Sequence, residues 1–226
     1  MTTGLRTITL VRHGMTEWAA AGRHTSVTDV GLTPTGRDEA MALWHFFRDR
    51  GQVYDGIYTS PLKRARHTAI LAGFTDAETQ DALREWHYGR YEGKTSAEIH
   101  EEWPQWTIFR CGAPEGESRE AVQRRCHQVL TDWQERGHEH VLCFAHGHIL
   151  RALACCWMDL DIAFGDHLHL DAGSISCLGY EHASPALLFW NLRPHFCHGQ
   201  DGVAANLRSD GSKGSSSRQP PQVAMG

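Results

Sequence analysis

Three short apolar runs in this sequence each end in side chains that could do chemistry on a phosphoryl group. They are residues 8–11 before Arg12, His13 and Gly14, residues 53–59 before Arg64, and residues 141–145 before His146 and Gly147. Guanidinium groups bind phosphate, imidazole is a nucleophile, and glycine lets the backbone come close to a ligand. Because ligands in open α/β sheets bind beyond the carboxyl ends of the strands, a parallel sheet would gather these junctions into one pocket. The pattern predicts a phosphate site.

The segments between these runs predict the helices that position them. Thr33 followed by Pro34 has the form of an N-cap before a helix, and Trp44 and Phe47 fall on the apolar face of that helix before it ends at Gly51. Further helices are predicted from Ser60 to about Ala72, from Ser96, from Ser118 to Gly137 and after His146, and a hairpin from strands at 174–180 and 186–192. Alternating strands and helices indicate the α/β class.

Composition is that of a globular domain. The chain has 226 residues, 41% of them hydrophobic, and it includes eight tryptophans. This amount of apolar side chain is enough for one sizeable core. A formal charge of −5 argues against the broad basic surface of nucleic-acid-binding proteins, so the anion site must be local. We expect one domain over residues 1–198. The Gly-, Ser-, Gln- and Pro-rich residues 199–226 are expected to form a disordered tail.

Targeting signals are not evident in the sequence. No apolar run is long enough to cross a bilayer, and the N-terminus reaches Arg6 and Arg12 without the apolar segment of a signal peptide. We therefore expect a cytoplasmic protein without a membrane partner. The seven cysteines are odd in number and lie mostly in apolar segments, which favours reduced core thiols over a disulfide framework.

Sixteen histidines raise the alternative of a histidine-rich metal-binding protein. Pairs such as His138/His140 and His146/His148 need a third ligand, and the chain has no CxxC or HExxH spacing. We expect no metal and no other cofactor. An activity that is insensitive to EDTA would exclude the metal-binding alternative.

Residues 83–93 are rich in aromatic residues and glycines and show no helical period, which predicts a shaped loop. Glu85 in this aromatic setting could be desolvated, which would raise its pKa and suit it to donate a proton. The alternative is a solvent-exposed loop acid, and spacing alone does not favour either.

Four blocks in the right order carry a resemblance to a known family. They are Arg12-His13-Gly14 for an RHG signature, residues 60–69 for SPLxRAxxTA, Glu85 ahead of a Tyr-Gly and a Glu-Gly pair, and His146-Gly147 for a second histidine. Together they resemble the histidine phosphatase superfamily, also called phosphoglycerate mutase-like, in its first branch. The resemblance runs from about residue 7 to residue 192. It implies a three-layer α/β/α sandwich around a mostly parallel sheet.

The resemblance also implies a mechanism. His13 would be the nucleophile and form a phosphohistidine that water hydrolyses, with its second ring nitrogen held as a donor. Arg12, Arg64 and His146 would hold the phosphoryl oxygens, as metals do in other phosphoryl-transfer enzymes. Glu85 would protonate the leaving oxygen and then activate water.

Within the superfamily, the sequence resembles the phosphatases more than the mutases. Ala19 stands where the mutases have asparagine, and the span from Glu85 to His146 is too short for the insertion of the mutases. Residues 17–33 are similar to sedoheptulose-1,7-bisphosphatase-like enzymes and broad acid phosphatases, so we expect a small phosphate ester, with sugar phosphates or bisphosphates first. The expected substrate contacts are Gly14, Thr16, Arg23, His24, Thr25, Ser26, Tyr88 and Gly147. A phosphoglycerate mutase-type transfer and a non-catalytic phospho-ligand-binding relative stay as alternatives.

Overall fold

A six-stranded sheet carries the three chemistry-bearing junctions. Its strands are β1 (Thr7–Arg12), β2 (Gly56–Thr59), β3 (Glu78–Thr79), β4 (His140–Ala145), β5 (Ile175–Glu181) and β6 (Ser184–Leu192). Their order across the sheet is β3-β2-β4-β1-β5-β6. This computed structural model describes residues 4–194, so the tail predicted over 199–226 lies outside the described residues.

The register of the parallel strands brings their carboxyl ends level. Arg12 at the end of β1 lies opposite Ala145 at the end of β4, and Thr59 at the end of β2 lies opposite Phe144. The residues that follow β1, β2 and β4 therefore leave the sheet at the same edge. β5 runs antiparallel to both of its neighbours, β1 and β6, whereas β1, β2, β3 and β4 are parallel to one another, which confirms a mostly parallel α/β sheet.

Seven α-helices lie in the described part of the chain. They are α1 (Glu17–Ala20), α2 (Pro34–Arg50), α3 (Lys63–Leu71), α4 (Ser96–Glu102), α5 (Ile108–Cys111), α6 (Arg119–Glu135) and α7 (Gly147–Trp157). Short 3₁₀ turns add Asp81–Leu83, Gly89–Tyr91 and Ile162–His167.

Alternate residues of the central strands feed two separate apolar cores. Leu10 and Cys143 belong to the core that contains α6 and α7, whereas Val11 and Phe144 belong to the core that contains α2 and α3. Because side chains alternate along a strand, the two cores lie on opposite faces of the sheet. This arrangement is the three-layer sandwich that the resemblance implied.

The predicted start and end of α2 are confirmed. The Thr33 hydroxyl accepts a hydrogen bond from Gly36 N at 3.1 Å, Pro34 occupies the first turn, and Gly51 ends the helix with a left-handed φ of 58°. Its aromatic face is less buried than predicted, since Trp44 is 40% exposed while Phe47 is buried.

Helix α3 begins later than predicted. It starts at Lys63 after Leu62 as the N-cap, and no side chain caps it. Ser60 was expected to cap this helix, but its hydroxyl accepts from Leu62 N and binds His146. The serine therefore belongs to the site.

Candidate active site

His13 is the first residue beyond β1. Its Nδ1 lies 2.8 Å from the Gly14 carbonyl oxygen, which can only accept, so Nδ1 carries the proton and Nε2 keeps its lone pair. Burial, followed by the nearby charges of Arg64 and Arg12, holds the pKa of His13 well below its usual value. The ring is therefore neutral and presents one nucleophilic nitrogen. Its centre is 5.1 Å from that of the His146 ring.

Gly14 fixes the path of the chain after His13. Its N–H donates to the Thr68 hydroxyl at 3.0 Å, and a Cβ at this position would meet the Gly36 carbonyl oxygen at 2.2 Å. Only glycine allows this close approach between the loop and the first turn of α2.

Arg64 and His146 are buried beside His13 and bind each other. Arg64 Nε donates to His146 Nδ1 at 3.1 Å, and its terminal nitrogens donate to the carbonyl oxygens of Thr25 and Thr28 at 3.0 and 3.2 Å. Since Arg64 can only donate, His146 Nδ1 accepts, and Nε2 donates to the Ser60 hydroxyl at 2.7 Å. Burial, then the Arg64 charge, holds the pKa of His146 well below its usual value. The tautomer of His146 is thereby fixed.

Arg12 supplies a buried donor that the protein leaves unpaired. Its Nη1 donates to the Leu170 carbonyl oxygen, while its Nε is buried without a hydrogen-bond partner among residues 4–194. Burial lowers the pKa of Arg12, and the Glu85 charge opposes that shift. Gly147 lies against the guanidinium, where a Cβ would stand 3.4 Å from Nε. An unpaired buried donor is costly, so an anionic ligand would satisfy it.

Glu85 is 7% exposed and binds the first turn of α7. One carboxylate oxygen accepts from His148 N at 3.0 Å, and the other accepts from Ile149 N and Trp86 N, both at 2.9 Å. Burial alone would raise the pKa of Glu85, but hydrogen bonds and charge from His148 outweigh it and lower the pKa well below its usual value. The alternative of a desolvated acid is therefore right about burial and wrong about the direction of the pKa shift, because the His148 side chain and, after it, the backbone N–H of His148 stabilise the ionised form. The alternative of a solvent-exposed acid is also wrong.

A cleft of about 170 Å³ opens beside His13. Its walls are formed by Arg12, His13, Thr16, Ala19, Gly22, Arg23, His24, Thr25, Glu85, Tyr88, Gly147, His148, Arg151 and Leu170. Six of the predicted substrate contacts are in this set, whereas Gly14 and Ser26 are not. Arg64 and His146 are also absent from these walls and lie buried next to them.

Ser26 has a different task from the one expected. Its N–H and hydroxyl both donate to the Glu92 carboxylate, as does Thr28 N at 3.0 Å. Its hydroxyl oxygen also accepts from Tyr88 N at 3.2 Å. Glu92 thus folds the turn whose carbonyl groups hold Arg64, a role that sequence spacing did not indicate.

His148 and Arg151 are wall residues that the sequence interpretation missed. His148 Nδ1 lies 2.5 Å from the Tyr88 hydroxyl oxygen, and its ring is 5.8 Å from that of His24, whose pKa burial and His148 lower to about 3. The i, i+3 spacing of His148 and Arg151 on the helix predicted after His146 was the available signal, because such residues share a face.

Residues 4–194 contain no group of three His, Cys, Asp or Glu side chains arranged to hold a metal ion. In the same range, no helix combines the length and the apolar character that crossing a membrane requires.

Comparison with known proteins agrees with this geometry. The histidine phosphatase superfamily (branch 1) matches residues 8–193. The chain is 36% identical to an acid phosphatase of Mycobacterium tuberculosis, over 82% of this chain and 92% of the relative. It is 33% identical to sedoheptulose 1,7-bisphosphatase of Saccharomyces cerevisiae, over 68% of each. A solved structure from Mycobacterium tuberculosis superposes with a TM-score of 0.80 at 36% identity, over 84% of this chain and 99% of the other. The chain therefore belongs to branch 1 of the histidine phosphatase superfamily.

Proposed function

We propose that this protein is a metal-independent phosphomonoesterase that hydrolyses small phosphorylated metabolites through a phosphohistidine on His13. The observation that carries the proposal is the pairing of a neutral His13, with Nε2 as its free nucleophilic nitrogen, and an unpaired buried donor on Arg12 in one cleft. Relatives that are named phosphatases support it.

In the first step, His13 Nε2 attacks phosphorus, a P–N bond forms and the ester P–O bond breaks. The leaving oxygen takes a proton from Glu85. Because the hydrogen bonds of α7 keep Glu85 ionised in the free enzyme, that proton must arrive with the substrate, as the monoanion of the phosphate ester. Binding a phosphate next to the carboxylate raises its pKa, which makes this transfer favourable.

In the second step, water attacks phosphorus while Glu85 accepts its proton, and the P–N bond breaks to regenerate His13. Arg12 binds the phosphoryl oxygens through its unpaired Nε. Arg64 contributes charge, and its guanidinium keeps N–H groups beyond those that bind His146, Thr25 and Thr28. We assign to His146 the task of orienting Arg64, because both of its ring nitrogens are bonded to protein groups.

The cleft walls support a polyhydroxylated or further phosphorylated leaving group. Arg23 and Arg151 add positive charge, whereas His24 and Tyr88 offer polar groups on aromatic rings. Sugar phosphates or bisphosphates fit this lining, and such metabolites fit the expected cytoplasmic location.

The test is phosphate release from a panel of sugar phosphates and bisphosphates in the presence of EDTA. His13→Ala should lose at least about 10³-fold in kcat, and alkaline quenching of the native enzyme during turnover should trap a phosphohistidine. His182→Ala, at an exposed turn, is the control and should keep full activity. Release that survives in His13→Ala would overturn the mechanism.

The same panel of substrates distinguishes the two remaining alternatives, a mutase and a non-catalytic binding relative. Activity that depends on a bisphosphoglycerate primer would indicate a mutase. Substrate binding without release would indicate a binding relative.

A further inference from the structure

Residues 170–174 form a short segment that holds Arg12, the last residue of β1, and His13, which follows it. The Leu170 carbonyl oxygen accepts from Arg12 Nη1, and the Ser174 carbonyl oxygen accepts from Arg12 N at 3.1 Å. Gly173 N donates to the His13 carbonyl oxygen at 3.0 Å. Within residues 4–194, the bond to Leu170 is the one hydrogen bond of the Arg12 guanidinium. The direction of that guanidinium therefore depends on where this segment lies.

Asn191 binds this segment at two points. Its Oδ1 accepts from Asp171 N at 2.7 Å, and its Nδ2 donates to the Asp171 carboxylate at 3.0 Å. The pairing fixes the amide orientation, because an N–H needs the oxygen and a carboxylate needs the NH₂ group. Asn191 thus secures the residue directly after Leu170.

The backbone at Asn191 is unusual. Its φ is 59°, a left-handed value inside β6. Few residue types other than glycine adopt this backbone conformation without strain. Ile175 pairs with Leu192 while Cys177 pairs with Phe189, so β6 carries one extra residue between them and forms a bulge. Asn191 N donates to the buried Ser176 hydroxyl at 3.0 Å. The bulge turns the amide of Asn191 off the regular strand path toward Asp171.

The geometry points to Asn191 as a positioning residue of the phosphoryl site, acting on Arg12 through residues 170–174. This inference rests on the proposed function. Asn191 does not line the cleft, so its contribution passes through the Leu170 carbonyl group.

The test is a double-mutant cycle with Arg12. Asn191→Gly keeps the left-handed backbone and removes both amide bonds. It should lower kcat/KM for phosphate release about 10-fold or more, because small misplacements of a binding group are costly to rate. In the Arg12→Ala background the same substitution should change kcat/KM less than about twofold, since the group it positions is gone. The same four proteins can also be compared by their affinity for orthovanadate, measured by calorimetry, which tests the coupling between Asn191 and Arg12 without turnover.

A matched control is His182→Gly, which likewise places a glycine at a left-handed position, φ 55°, in the exposed β5–β6 turn. It should leave kcat/KM unchanged. An equal loss from Asn191→Gly in both Arg12 backgrounds, or no loss in the native one, would overturn the inference. If the native protein and His182→Gly release no phosphate, it is the proposed function that has failed.

A second variant covers the case in which Asn191→Gly does not fold. Asn191→Asp keeps the accepting oxygen but sets an oxygen against the Asp171 carboxylate, and it should lose activity. Adding Asp171→Asn exchanges the two partners and should recover most of the loss. A double variant no more active than Asn191→Asp contradicts the pairing.

Discussion

The charge of Glu85 decides where the proton for the leaving oxygen comes from in the proposed reaction. A general acid is usually expected to have a raised pKa, yet here the His148 side chain and three backbone N–H groups stabilise the carboxylate. The residue is therefore a base in the free enzyme and becomes an acid only when a protonated phosphate ester binds. Its contribution should depend on how much the leaving oxygen needs a proton.

Glu85→Gln should impair alkyl phosphates far more than p-nitrophenyl phosphate. An alkoxide leaves poorly without protonation, so kcat/KM for a sugar phosphate should fall by about 10²–10⁴-fold, as for the loss of other general acids. The weakly basic p-nitrophenolate leaves unaided. The measurement is kcat/KM for both substrates. Because structural damage at α7 would lower both values alike, equal losses would contradict the acid role.

The sequence could name most of the residues of this site but not their bonds to one another. His13 and His146 stand out by type and position, whereas the tautomer of His146 depends on Arg64 and Ser60, which other elements supply. Neither of the two alternatives that the sequence left open for Glu85 describes it, for the same reason: the carboxylate is buried and its pKa is lowered. The side chain and the N–H group of His148, which lower that pKa, are distant from Glu85 in sequence.

Among the secondary-structure elements, the loop after β1 and the first turn of α2 meet backbone to backbone. A Cβ on Gly36 would lie 2.1 Å from the Met15 carbonyl oxygen, and the Thr33 hydroxyl donates to that same oxygen at 3.1 Å. Met15 N in turn donates to the Glu39 carboxylate at 2.7 Å. The contact fixes the loop that carries His13.

Gly36→Ala should therefore destabilise the protein despite its place in a helix. Helix propensity alone would favour alanine by about 1 kcal/mol, but forcing backbone atoms apart typically costs about 1–3 kcal/mol. We expect a lower free energy of unfolding in urea and reduced phosphatase activity. Gly31→Ala is the matched control, because a Cβ there meets nothing within 4 Å, and it should keep both properties. A Gly36→Ala variant with a higher free energy of unfolding would contradict this prediction, because it would mean that the loop after β1 can move away from α2 at little cost.

Elements with strong local signals were predicted well, and elements made by tertiary contacts were not. The cap and proline of α2 and the glycine that ends it lie in the sequence itself. The two-residue strand β3 pairs only because β2 lies beside it. Similarly, Ser60 leaves the N-cap role in α3 because His146 provides a partner for its hydroxyl.

For the whole molecule, a fold that gathers strand ends at one edge also buries their histidines. His13 is 5% exposed and His146 is fully buried, and burial keeps the pKa of both well below the usual value. The unfolded chain protonates these residues near pH 6.5. The site therefore imposes a pH dependence on the stability of the entire domain.

Acid should destabilise the protein long before its carboxylates titrate. Below pH 6.5 these histidines bind protons in the unfolded state but not in the folded state. The free energy of unfolding should therefore decrease as the pH is lowered, by up to about 1.4 kcal/mol per pH unit for each such histidine. Glu85 stabilises the fold at pH values above its unfolded pKa of about 4.3, so the stability that it contributes is lost only below this pH range.

Urea unfolding between pH 7 and 5 measures the slope. His146→Gln should reduce that slope by about one proton, because it removes one of the two buried histidines. A stability that stays level from pH 7 to 5 would mean that the native site accepts protons, and His13 would then be cationic where the proposed mechanism needs it neutral.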